Sequence, residues 1–237
     1  MRNIIIGNGV NIQFGGWEYT NRRIVERALL KLKTRDYSKE VNTEEIEVWI
    51  KMLFQAFPKF LKGDYDTLAV LKDEKEELSN FKKRYTKKTR IYEIGFEDFF
   101  LLNELHCRKN KIGNPERYYF QEFLRRLFLD SIYNNGKINQ IHESFSEDFI
   151  AFLKSYNNIF TTNYDKNIEL ATKRKVLYLH GAFHVLDNVY DANSFRNKLS
   201  DRPVDKAPVI KGYEHVFSTA LTGSSGAFKQ HVAESSE

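Results

Sequence analysis

Three short stretches combine residue types able to do chemistry with apolar runs able to hold them in place. Thr161-Thr162-Asn163-Tyr164-Asp165 sets an amide, a carboxylate and two threonine hydroxyls within one turn, directly after the run Asn158-Ile159-Phe160. His180-Gly181 follows a second apolar run, Val176-Leu177-Tyr178-Leu179, and the glycine leaves the imidazole room at a rim. Gly7-Asn8-Gly9-Val10-Asn11 follows a third, Asn3-Ile4-Ile5-Ile6, and its glycines allow a backbone to approach an anion such as a diphosphate. A histidine is suited to taking a proton near neutral pH, an amide to orienting a water or hydroxyl, and a carboxylate to stabilising developing positive charge. Each stretch also has a plainer account when taken alone. Asn163 and Asp165 could cap the next helix, a strand followed by glycine is a simple turn, and a lone histidine is structural. Ile12 occupies the third glycine position of a G-x-G-x-x-G fingerprint, so that pattern is incomplete.

The elements that must position these groups follow from periodicity. The β-branched run Asn3-Ile4-Ile5-Ile6 reads as a buried strand, and Ile24, Ala28, Leu29 and Leu32 after Gly15-Gly16 follow the helical period. Strand patterns return at 158–162 and 176–179, separated by a helix-sized segment around Ile168–Lys173, which makes a β-α-β unit. Between them, from Asn42 to Asn134, the signal is helical. Thr43 is placed to cap a stripe of Ile46, Trp49, Ile50, Leu53, Phe54 and Phe57 that Pro58 should end. Asn114-Pro115-Glu116 starts another helix, with Phe120, Phe123, Leu124, Leu127 and Phe128 at core spacing, and Asn134-Asn135-Gly136 stops it. Ser146 is expected to cap a short helix with Phe149, Phe152 and Leu153 turned inward. The fold class expected is α/β. Ligands of open parallel sheets bind at the carboxyl ends of the strands, and all three chemical stretches sit at such ends.

Taken together, the three stretches resemble the sirtuin-type NAD-binding domain in its bacterial, antiphage-defence form. Gly7-Asn8-Gly9 resembles its phosphate loop, Thr161-Thr162-Asn163-Tyr164-Asp165 its T-x-N-x-D signature, and Leu179-His180-Gly181 its His-Gly segment. Phe96-Glu97-Asp98-Phe99-Phe100 looks like a short element of these relatives. The resemblance implies a Rossmann-like parallel sheet with helices on both faces and a large helical insertion. It implies a single domain over residues 1–237, with 1–35 and 155–237 as the nucleotide-binding core and 40–154 as the insertion. Asn163 and His180 would be catalytic, and Gly7, Asn8, Gly9, Asn11, Thr161, Thr162, Asp165 and Gly181 would bind NAD, here a substrate. True sirtuin deacylases carry a four-cysteine zinc module, and Cys107 is the only cysteine, so no metal is expected and hydrolysis of NAD is favoured over peptide deacylation. The family continues through further strands and a Gly-x-Ser turn. Val216–Leu221 is a poor strand candidate and Gly223-Ser224-Ser225 the matching turn, which suggests a shortened member or one part of a larger system.

Composition bounds the alternatives. With 41% hydrophobic residues and 29% charged, the chain reads as globular, and its apolar runs are too short for a membrane span, so a cytoplasmic protein is expected. A net charge of +5 discriminates poorly. The basic run Lys82–Arg90 could neutralise phosphates, but it reads more simply as a solvated helix end, so nucleic acid is not an expected partner. The resemblance further implies a homo-oligomer that waits on a phage-derived activator or a partner defence subunit. The alternative function, of a different class, is a non-catalytic module that binds NAD or ADP-ribose and reports it.

Overall fold

Three consecutive isoleucines give β1 (Asn3–Ile6) its extended backbone, because β-branched side chains pack well on a pleated surface. The structure, a computed structural model, describes residues 1–34, 43–114, 116–187 and 211–221. β1 pairs in parallel with β2 (Asn158–Thr161), and β2 pairs in parallel with β3 (Leu177–Tyr178), so the sheet runs β1-β2-β3. The strand expectations at all three places hold. One detail differs: Ile5 is 68% exposed, so β1 is buried on one face only. Among the described residues β1 is an edge strand, and successive side chains of a strand point to opposite faces.

The chain divides into two compact units, the first comprising Met1–Tyr19 and Ile132–Glu237, the second Thr20–Ser131. In the first unit, α1 (Gly9–Gly15) follows β1 at once. α7 (Glu147–Lys154) precedes β2, and α8 (Asn167–Thr172) forms the connection from β2 to β3. Ser146 caps α7 as expected, its Oγ accepting from the Phe149 N–H at 3.3 Å. Phe152, however, is exposed, and Phe14, Phe145 and Phe149 form the aromatic cluster instead, with ring centroids 4.8 and 4.9 Å from Phe14. The Arg174 guanidinium fastens the entry to β2 by donating to the carbonyls of Lys154, Tyr156 and Asn157.

The second unit carries α2 (Asn21–Thr34), α3 (Thr43–Lys62), α4 (Lys72–Arg84), α5 (Asp98–Lys109) and most of α6 (Glu116–Tyr133). α3 does not end at Pro58. It runs on to Lys62, and the fully buried Phe57 and Phe60 on either side of the proline show why. Interior proline costs about 3 kcal/mol, and burial of one such aromatic side chain offsets most of that. Trp49 donates to Asn103 Oδ1 at 2.8 Å and stacks on Phe120 at 3.9 Å. Phe54, expected on the same stripe, is only half-buried. Asn134, Asn135 and Gly136 are left-handed, with φ of 51°, 54° and 83°, and this breaks the helical path after α6 as the sequence predicts. Pro115 lies outside the described residues.

The basic run forms the end of α4 and a turn. Lys82 pairs with Asp66 and Arg84 with Asp98 at 2.5 Å, while Lys83, Lys87 and Lys88 are exposed. Cations in the last turn of a helix complement its dipole. Asp98, in the Phe96–Phe100 element, also accepts from the Tyr85 hydroxyl at 2.6 Å, and burial together with that bond pushes the phenol up to about 12. No helix among the described residues is long and apolar enough to cross a membrane.

Candidate active site

Register fixes which side chains can meet. Ile6 is the partner of Thr161, and Thr161 the partner of Tyr178, so the three strands end level on one edge of the sheet. Asn163 and His180 each stand two residues beyond the pair Thr161↔Tyr178, on neighbouring strands about 4.8 Å apart. Gly7 to Gly9 leave the other flank of β2. Backbone bonds carry the pairing past the strands: Thr162 N–H to the Ile6 carbonyl at 3.0 Å, Leu179 N–H to Thr161 at 2.8 Å, and Phe183 N–H to Tyr164 at 2.9 Å. The three stretches singled out by sequence are thus brought together.

Each has a local reason for its course. The Thr161 hydroxyl donates to the Ile6 carbonyl at 3.1 Å and accepts from the Asn163 N–H at 3.0 Å, which pins the turn after β2. A Cβ on Gly7 would stand 3.3 Å from Thr162 Oγ1, tighter than ordinary contact, so the first loop lies close against the second. Asn8 turns its amide nitrogen to the Tyr19 carbonyl at 2.8 Å, a structural bond, whereas Gly9 has open space where a side chain would be. Gly181 has φ +79°. Its would-be Cβ falls 2.0 Å from the Thr219 carbonyl oxygen, so glycine is required there by both conformation and space.

Beyond Gly181 the chain is held by Ala182 N–H to Thr219 Oγ1 at 3.1 Å, Thr219 N–H to Val185 at 2.7 Å and Leu221 N–H to the His180 carbonyl at 3.2 Å. His180 is partly exposed, at the rim where the sequence places it. Val216–Leu221 does not form a strand of the sheet. Glu214–Phe217 is a 3-10 turn, followed by one antiparallel bridge between Ser218 and Leu186. Ser218 also donates back to the His215 carbonyl at 2.7 Å, which curls the segment locally. Gly223-Ser224-Ser225 lies outside the described residues.

Behind the strand ends sits a buried polar network. Asp165 accepts from Asn11 Nδ2 at 2.8 Å, from Asn167 Nδ2 at 2.6 Å and from the Asn167 backbone N–H at 3.0 Å. Burial holds its carboxyl above the usual carboxylate range, and the three amide donors only partly counter this. Asn167 and His142 were not singled out from sequence. Asn167 gave a faint signal, as a further amide two residues past Asp165, but His142 gave none because its contact is across 25 residues of chain. Two buried atoms have no partner among the described residues at this end of the molecule: the acceptor Asn11 Oδ1 and the donor Asn163 Nδ2. Their residues are 2% and 5% exposed, and an unmatched buried polar atom costs about 1–3 kcal/mol, so such atoms point to a ligand or an ordered water. No three His, Cys, Asp or Glu converge as a metal site among the described residues.

The raised Asp165 sets a pH dependence. In the unfolded chain an aspartate titrates near about 3.9, and in the folded chain higher. Folding is therefore favoured most below that lower value, and the contribution is lost as pH rises through the folded one. Asp165→Asn removes the charge and keeps the shape, and the Asn11 amide can turn over to accept from the new nitrogen. The variant should gain on the wild type in denaturant midpoint as pH is raised from about 4 to 7. Parallel midpoints across that range would show that the carboxylate carries no burial cost.

Comparison with protein-family models, with characterised proteins and with solved structures gives no match for this chain.

Proposed function

We propose that the first unit binds NAD at the three strand ends and hydrolyses its nicotinamide–ribose bond, giving nicotinamide and ADP-ribose. The observation that carries the reading is the level ending of β2 and β3, which sets Asn163 and His180 on adjacent chain ends, with Asn163 Nδ2 itself a buried amide atom without a partner. On this reading the diphosphate lies along Gly7–Gly9, where Gly9 leaves open space for it. Asn163 orients a water toward the anomeric carbon. The C–N bond breaks with its electron pair leaving on nicotinamide, through an oxocarbenium-like state, and His180 takes the proton of the attacking water. Asp165 stabilises the developing positive charge, and Asn11 contacts the ribose.

The finer features belong to the same proposal: a sirtuin-type, Rossmann-like sheet with helices on both faces, a helical insertion, and self-association under the control of a phage-derived trigger or partner defence subunit, so that NAD depletion halts infection. Chromatographic detection of free nicotinamide, from NAD incubated with the chain and with its Asn163→Ala variant, tests it. Release by the wild type and loss in the variant are expected. Tight binding by calorimetry with intact NAD recovered would instead make the chain a sensor, and equal release by both would remove Asn163 from the chemistry.

A further inference from the structure

Asn167 has no part in the reaction outlined above, yet it is fully buried and every polar atom of its side chain is engaged. Its nitrogen donates to Asp165 Oδ1 at 2.6 Å and to the Ile138 carbonyl at 2.7 Å. Its oxygen accepts from the His142 backbone N–H at 3.1 Å and lies 3.2 Å from His142 Nδ1. The Asn167 backbone N–H donates to the same Asp165 oxygen at 3.0 Å, so one side of that carboxylate is held twice. The other oxygen, Oδ2, meets the Asn11 amide at 2.8 Å.

An ionised carboxylate only accepts. It must take the nitrogen end of the Asn11 amide, and that leaves Oδ1 as the open end, which is the buried atom without a partner. A carboxylate swung away from this position, or protonated on Oδ2, no longer dictates which end of the amide is left open. We infer that Asn167 is a positioning residue: by holding one oxygen of Asp165 it turns the other onto Asn11 Nδ2, and so fixes an acceptor, not a donor, for the ligand. The group bound there must itself donate, as a ribose hydroxyl or an N–H does. This assignment of ligand chemistry rests on the proposed function, whereas the holding of Asp165 by Asn167 does not. The other titratable groups nearby are His142, behind Asn167, and Tyr178, which feels the charge of Asp165 and whose hydroxyl donates to Glu169 at 2.9 Å.

The test is to follow the Asp165 carboxyl carbon by NMR titration in the wild type, Asn167→Ala and Asn167→Asp. Loss of one hydrogen bond to a charged group should move the Asp165 titration upward by about one to two pH units in Asn167→Ala. Asn167→Asp keeps the side-chain shape and is the variant to read where alanine unfolds the protein. With its carboxyl protonated it folds at acid pH, and on raising the pH the two carboxyls should titrate in two separated steps. The pH limb that Asp165 gives to nicotinamide release should shift upward with the alanine variant. An Asp165 titration unmoved in both variants, alongside a lowered unfolding midpoint, overturns the inference and makes Asn167 a packing residue. A wild type that releases no nicotinamide removes the NAD reading alone, because the carboxyl titration needs no substrate.

Discussion

His180→Ala should lower the rate of nicotinamide release by about 10²–10⁴-fold, the range typical of a lost general base, and leave the unfolding midpoint close to that of the wild type. The two halves of this expectation have different origins. The rate effect follows from the proposed chemistry, in which the imidazole takes the proton of the attacking water. The unchanged midpoint follows from what holds the chain at this point. The Leu179 N–H to Thr161 bond and the Leu221 N–H to His180 carbonyl bond are backbone bonds that alanine keeps. The residue is partly exposed, so truncating its ring costs less than truncating a fully buried one. Release at the wild-type rate would remove His180 from the reaction, and a collapsed midpoint would assign it to the fold.

Gly181→Ala, one residue on, should do the opposite and destabilise the protein by about 3–5 kcal/mol. A φ of +79° costs an L-residue about 1–2 kcal/mol by itself. The new methyl would also stand 2.0 Å from the Thr219 oxygen, 2.4 Å from its carbonyl carbon and 2.9 Å from the Ala220 nitrogen. All three are backbone atoms, and no rotamer change moves them away. Segment 217–221 would have to retreat and give up the bonds to His180 and Ala182, each worth about 1 kcal/mol. Denaturant unfolding measures the loss. A change below about 1 kcal/mol would mean that this segment does not lie against the glycine in solution.

These two neighbours also show what a sequence displays. The strands were legible because β-branched and aromatic runs stop before Gly7, Asn163 and His180, whereas the level ending of β2 and β3 comes from their register, which the runs do not carry. Ser146 and the Asn134-Asn135-Gly136 stop were legible because capping and left-handed turns are local. What failed was decided at a distance. Pro58 sits inside α3 because Phe57 and Phe60 pack on Phe81 of the next helix, a contact that the local sequence around the proline does not announce. Val216–Leu221, already a poor strand candidate in sequence, bends locally through Ser218 and does not join the sheet. Phe152 is exposed, and Phe149 of the same helix is the ring that packs with Phe14 and Phe145. In the site, Asn163, Asp165 and His180 carried a visible pattern, whereas the hold of His142 on Asn167, which in turn holds Asp165, arises from a contact across 25 residues that no periodicity connects.

The pairing of β1 with β2 sets an order of events during synthesis. About 150 residues separate the two strands, which at about 5–20 residues per second leaves β1 waiting on the order of 10–30 s for its neighbour to leave the ribosome. Helices α2 to α5 are made in that interval, and several of their contacts are themselves long in sequence, Lys31 with Asp130 and Trp49 with Asn103 among them. The isoleucine strand therefore waits unpaired while the intervening helices are made, and the sheet edge that gathers Asn163 and His180 forms only after β2 and β3 have followed.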